Sequence, residues 1–215
     1  MTADSTHLAS LMCSRLCHDL MSPVGGMNNG VELLEDEPDP AMREQCVDLI
    51  AQGARRTAAK LRFFRLAFGA AGGFDAEIPV AELRELTEAM AAEARDVSVD
   101  WSVVPDTLPK DATKVLLNLS LIGIEALPRG GTLAVAAEDT GEAHEIALRA
   151  EGPRIAFDAD IGSALDGDTD LADLTAHSAP AALIRLVAKD CGGGVQHARG
   201  ESALVLGAVL PRRSG

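Results

Sequence analysis

Two long runs of helical spacing open the chain, separated by Pro38-Asp39-Pro40. At about 100° per residue, Cys13, Leu16, Leu20, Val24, Met27, Val31 and Leu34 fall within roughly 80° of arc, which predicts an amphipathic helix over residues 5–36. A second helix begins near Ala41, carries Met42, Cys46, Leu49, Gly53, Thr57, Phe64 and Phe68 on its own stripe, and ends at Gly69 ahead of Gly72-Gly73. Together they read as a helical hairpin, domain 1–72. Beyond it the period changes and short strands alternate with helices. Helices are predicted over 79–94, 109–126 and 179–191, and strands over 97–103, 132–138, 145–150 and 203–210. Thr140-Gly141 turns a hairpin between two of those strands, and Gly192-Gly193-Gly194 closes the last helix. Residues 161–173, rich in Gly and Asp, give no period to assign. The second domain, 73–215, is therefore a mixed α/β layer.

Two amphipathic arms alone expose their apolar faces. A pair of such hairpins buries both stripes as a four-helix bundle, which predicts a homodimer; docking of the hairpin onto the C-terminal domain of its own chain is the competing solution. Phe63, Phe64 and Phe68 carry most of the aromatic weight, and packing is their expected role.

On the first helix His18 lies nearly opposite the apolar stripe, so it faces solvent, with Asp19 beside it. Ser14, Ser22, Gly25 and Asn29 share its face. All are small or short, which lets a second protein bring a reactive group to the imidazole. A glycine inside a helix costs about 1 kcal/mol relative to alanine, and close approach of a partner is a reason for Gly25 and Gly26. A neutral imidazole nitrogen attacks phosphorus, and the labile P–N bond keeps the product a donor. His18 beside an acid thus reads as a phosphoacceptor. A carboxylate bonded to Nδ1 would leave the lone pair on Nε2; Asp19 either serves that purpose or is a solvated flank of the helix.

The run His18-Asp19-Leu20-Met21-Ser22-Pro23 resembles the H-box of two-component histidine kinases, in which a reactive His is followed by an acid and, a few residues on, by a Pro. Continued through Val24-Gly25-Gly26-Met27-Asn28-Asn29-Gly30, and joined to the second domain, the chain is similar over nearly its whole length to the histidine phosphotransferases of alphaproteobacteria. The second domain resembles the kinases' ATP-binding (Bergerat) domain in degenerate form. Leu116-Leu117-Asn118-Leu119 and Ala126-Leu127-Pro128-Arg129-Gly130-Gly131-Thr132 keep parts of the N-box, but Ile122 stands where kinases place a Mg²⁺-binding Asn and offers no oxygen. In Ala150-Glu151-Gly152-Pro153-Arg154 the adenine-binding Asp has become Ala150 and the second glycine has become Arg154. His177-Ser178-Ala179-Pro180-Ala181-Ala182, where the second glycine box should fall, holds no glycine.

The resemblance implies a dimeric four-helix bundle joined to a degenerate α/β sandwich, with neither nucleotide nor metal bound by this chain. It implies a phosphotransferase relaying phosphoryl groups through His18 between the receiver of a hybrid histidine kinase (CckA-like) and response regulators (CtrA-like and CpdR-like), the receiver supplying Mg²⁺. Asp19 would orient His18, and Ser14, Arg15, Ser22, Gly25, Gly26 and Asn29 would meet the partner. Two other readings stay open: a divergent soluble histidine kinase, and a catalytically inert dimeric scaffold that binds receivers.

Composition narrows the partners. A net charge of −14 opposes binding to nucleic acid, and an aromatic content of 3% without tyrosine removes base-stacking platforms. No basic segment followed by an apolar run opens the chain, and no apolar run reaches membrane-spanning length, so a cytoplasmic protein without a membrane partner is expected. Cys13, Cys17, Cys46 and Cys191 lack paired metal spacing and read as free thiols. Among the arginines, Arg15, Arg55, Arg56, Arg62 and Arg65 are either solvated helix charges or contacts to phosphate and an acidic partner rim. The Ser22 hydroxyl would position a hydrolytic water only weakly. None of His7, His144, His177 and His197 combines an adjacent acid with a following Pro, which favours surface or local structural roles.

Overall fold

The computed structural model describes residues 3–69 and 77–212. Helices α1 (Ala3–Asp36) and α2 (Pro40–Ala67) form the hairpin. The intervening prolines end one helix and start the next: Asp39 caps α2 by accepting from the Ala41 N–H at 3.1 Å, and Pro40 fills a first-turn position that has no use for an N–H. There follow β1 (Glu77–Pro79), α3 (Val80–Ala91), β2 (Val97–Val103), β3 (Thr107–Pro109), α4 (Lys110–Glu125), β4 (Gly131–Asp139), β5 (Ala143–Glu151), α5 (Ala159–Asp166), a 3₁₀ turn (Leu171–Asp173), α6 (Ala179–Asp190), β6 (Gly194–Arg199) and β7 (Ala203–Pro211). The expected domain boundary after residue 72, and Gly72-Gly73, lie outside the described residues.

Five strands make one sheet in the order β2-β4-β5-β7-β6, parallel only between β2 and β4, while β1 and β3 form a separate two-stranded ribbon. Alternate residues of β4 and β5 (Leu133, Val135 and Ala137; Ile146, Leu148 and Ala150) face the helices and are buried. Helix α4 is apolar on nearly every side because it is covered on nearly every side, by the sheet, α3, α6 and the base of α2.

The apolar stripe read from α1 is not the seam with α2. Leu8, Arg15, Pro23 and Gly30 are the buried positions of that helix, and they lie about 100° round it from the centre of the stripe. Val24 and Val31 of the stripe stay exposed, and Leu20, Met27 and Leu34 are half-buried. Close contact of the two arms is made by glycine, but not by Gly25 or Gly26, where an added Cβ would meet nothing within 4 Å. At Gly30 it would lie 2.8 Å from Ile50 Cγ1, and at Gly53 it would collide with Met27.

At its open end the hairpin merges with the second domain. Leu8, Phe63, Phe64, Leu66 and Ala67 belong to the same buried cluster as Leu83, Leu116 and Leu119, with Phe64 stacked on Phe68 at 5.0 Å between ring centres. Docking onto the C-terminal domain of the same chain, the competing solution, thus accounts for this end of the hairpin. The other end still exposes Val31, Leu33, Met42 and Val47.

Three strands and a helix go beyond the expected elements. The edge strand β6 pairs only with β7 and carries Gln196, His197 and Arg199, too polar to announce itself. Strands β1 and β3 are three residues each and contain proline. Helix α5 has eight residues within the Gly/Asp-rich stretch and stops at Gly167, whose φ of 85° suits a residue without Cβ.

Candidate functional site

Helical spacing puts His18 on the solvent face of α1, and its side chain is 83% exposed. Its Nδ1 lies 3.1 Å from Asp19 Oδ1, a distance at which a protonated Nδ1 donates. Ser14, Ser22, Gly25 and Asn29 are exposed with it, Gly26 is half-buried, and Met21, 71% exposed, adds an apolar flank. Cys13 and Cys17 are free and exposed nearby, while Cys46 is free and buried.

The proline of the motif has a structural consequence. Lacking an N–H, Pro23 cannot donate to the carbonyl of Asp19, four residues earlier. Lys60 of α2 takes that role, its Nζ donating to the Asp19 carbonyl at 3.2 Å. The residue next to His18 is thereby tied to the second arm through its backbone.

Its side chain is tied to the second domain. Arg15 Nε donates to Asp19 Oδ2 at 2.7 Å, Arg15 Nη2 is bonded to Glu125 at the end of α4, and Arg15 Nη1 lies 3.2 Å from His177 Nδ1. His177 Nε2 in turn sits 3.2 Å from Asp158 Oδ2. Burial works against the Arg15 charge, but Glu125 and Asp19 outweigh it and hold the guanidinium above its ordinary pKa. This corrects the expectation that Arg15 meets a partner: it is 7% exposed and its donors are turned inward. Arg56, Arg62 and Arg65 pair with Glu93, Glu85 and Glu82, so they brace α2 against α3 and the turn after it; Arg55 is exposed.

Lys60, Glu125, Asp158 and His177 were not legible as site residues. Glu125 and His177 stand 110 and 162 positions from Arg15, a separation that no local spacing bridges. Position in the degenerate second glycine box was the one signal His177 carried.

Where a kinase would hold nucleotide, the side chains do other things. Asn118 is buried and its Nδ2 donates to the Ala67 carbonyl at 2.9 Å and the Lys114 carbonyl at 2.8 Å, so it caps the end of α2. Ile122 and Ala150 are buried aliphatic residues. Gly152 persists for packing, since a Cβ there would lie 2.5 Å from the Gly130 carbonyl. Among the described residues no cluster of three or more His, Cys, Asp or Glu is arranged to hold a metal, and no helix is long and apolar enough to cross a membrane.

Residues 80–203 match the family model of the histidine phosphotransferase C-terminal domain. The chain is 35% identical to the protein phosphotransferase ChpT of Brucella abortus (strain 2308) over 192 residues, 89% of this chain and 90% of that protein. Its structure superposes on a bacterial phosphotransferase solved at 1.7 Å with a TM-score of 0.82 and 31% identity, covering 97% of each chain. A histidine kinase domain from the blue-light activated histidine kinase of Erythrobacter litoralis EL346 shares the fold at 12% identity and a TM-score of 0.50, over 88% of this chain and 94% of that one. The chain belongs to the histidine phosphotransferase family.

Proposed function

We propose that this chain accepts a phosphoryl group on His18 from the aspartyl phosphate of a receiver domain and passes it to the aspartate of another. The observation that carries this reading is the exposed imidazole with Nδ1 against Asp19, which leaves Nε2 as the nucleophile. The Nε2 lone pair forms the P–N bond as the receiver's P–O bond breaks, which returns its carboxylate; the reverse step loads the acceptor. Asp19 offsets the positive charge that develops on the ring. Transfer of this kind depends on in-line placement and on neutralising the phosphoryl oxygens, and the receiver's own Mg²⁺ supplies the latter.

The reading is independent of ATP. Ile122 and Ala150 supply neither a ligand for a hard cation nor an acceptor for an adenine amino group, and the Asn118 amide is engaged in capping α2. These residues do not fit a Mg²⁺–nucleotide complex. The donor is then the receiver of a hybrid kinase, CckA-like, and the acceptors are CtrA-like and CpdR-like regulators, in the cytoplasm. Small residues around His18 admit a receiver closely, Gly25 and Gly26 above all, since space above both is open.

The functional unit is a homodimer. Val24, Val31, Leu33, Met42, Val47 and Leu49 remain exposed on the loop half of the hairpin, and a second copy buries them as a four-helix bundle.

The test is transfer of radiolabel from a phosphorylated receiver to the full-length chain, with and without ATP, for the wild type and His18→Gln. Label on the wild type alone, unaffected by ATP, is expected. Label that requires ATP would establish a divergent kinase, and no label from any of several receivers would leave a scaffold.

A further inference from the structure

Arg15 is an unusual residue to bury in the middle of a helix seam, because a guanidinium taken out of water without partners is strongly destabilising. Its three contacts resolve the cost and divide the Asp19 carboxylate in two. Oδ2 accepts from Arg15 Nε at 2.7 Å, and Oδ1 is left facing His18 Nδ1 at 3.1 Å. Asp19 is 16% exposed beside an imidazole that is 83% exposed, so the acid is fixed while the base is free to meet a partner. The far side of Arg15 is held by Glu125 and by His177, which is itself held at 3.2 Å by Asp158.

From this geometry we infer that Arg15 is a positioning residue: anchored by Glu125 and His177 of the second domain, it sets the rotamer of Asp19 and through it the tautomer of His18. The inference rests on the reading of His18 as the phosphoacceptor. A free imidazole favours the proton on Nε2, which would place it on the attacking atom; an Asp19 fixed with Oδ1 toward Nδ1 reverses that preference. The second domain then contributes to the reaction without touching phosphate. Residues near the degenerate nucleotide boxes hold the acid that holds the histidine, and the Lys60 bond to the Asp19 carbonyl fixes the same residue from its backbone.

The test reads the tautomer directly, by two-bond ¹H–¹⁵N correlation on ¹⁵N-histidine-labelled full-length protein, at a pH well above the ordinary histidine range. Wild type is expected to show His18 protonated on Nδ1. Arg15→Met moves the proton population to Nε2 and slows acceptance from a phosphorylated receiver roughly 10- to 100-fold, as for other small misplacements of a reacting group. Glu125→Gln, which keeps the volume and removes the anchor's charge, moves both readouts the same way by less, and decides the question should Arg15→Met fail to fold. A wild-type tautomer in folded Arg15→Met or Glu125→Gln overturns the inference, whatever the transfer rates. A tautomer shift in the variants, with no phosphoryl acceptance by wild type, supports the Arg15 linkage and overturns the proposed function instead.

Discussion

In the proposed reaction His18 depends on its nearest neighbour. Because Asp19 Oδ1 faces Nδ1 at 3.1 Å, removing the charge while keeping the shape is the sharpest single test of the acid. Asp19→Asn is expected to slow phosphoryl acceptance about 10²-fold, the low end of what a positioned acid–base partner contributes, in rapid-quench kinetics with a phosphorylated receiver. An unchanged rate would reduce Asp19 to a solvated flank. At Gly53, by contrast, the requirement is purely steric. An added Cβ collides with Met27 and lies 3.2 Å from the Pro23 carbonyl, so Gly53→Ala is expected to lower stability by about 1–3 kcal/mol in chemical denaturation. His18, Asp19 and the small residues on their face were readable from the sequence because helical spacing alone puts them together. The inward role of Arg15 was not: three residues before His18, it sits on the seam, and only the fold brings Glu125, at the end of α4, and His177, just before α6, to it.

At the scale of elements, Asn118 joins the two domains. Its amide caps the last turn of α2, so Asn118→Leu strands the Ala67 carbonyl and is expected to cost about 1–3 kcal/mol, with amide exchange speeding up in the last turns of α2. Uniform loss of protection across the whole chain would argue against this local role. The turn from β4 to β5 carries a second prediction. Hydrogen bonding from Arg212, then from the Gly141 N–H, holds the Asp139 carboxyl below the usual carboxylate range. Its contribution is therefore complete above the ordinary Asp pKa and disappears as pH falls through the lowered value. Arg212→Ala should raise the Asp139 titration midpoint, read by carboxyl NMR, and unchanged titration would remove Arg212 as the cause. Elements with strong periods, such as β2 over 97–103 and the two hairpin arms, were legible in the sequence nearly to the residue. The edge strand β6 and the short helix α5 were not, because polar edge positions and an eight-residue helix rich in Ala and Asp give no period to read.

For the molecule as a whole, one end of the hairpin is covered by its own second domain and the other exposes aliphatic side chains. The stripe read from α1 overlaps the intrachain seam only at one edge, where Met27 meets Gly53; Val24 and Val31 on its other edge are exposed, where the proposed second hairpin would bury them. Val31→Asp would place an unpaired charge in the proposed dimer seam, so light scattering is expected to give a dimer for wild type and a folded monomer for the variant. A dimeric, stable Val31→Asp would put the seam elsewhere.

In the proposed relay, phosphorus is carried on one nitrogen of one histidine. The measurement that tests it most directly is ³¹P NMR with tandem mass mapping of the full-length protein after loading from a phosphorylated receiver in the absence of ATP. A single acid-labile phosphohistidine is expected, substituted at Nε2 of His18 and absent from His18→Gln. Phosphate on Nδ1, on another residue, or on His18→Gln would contradict it.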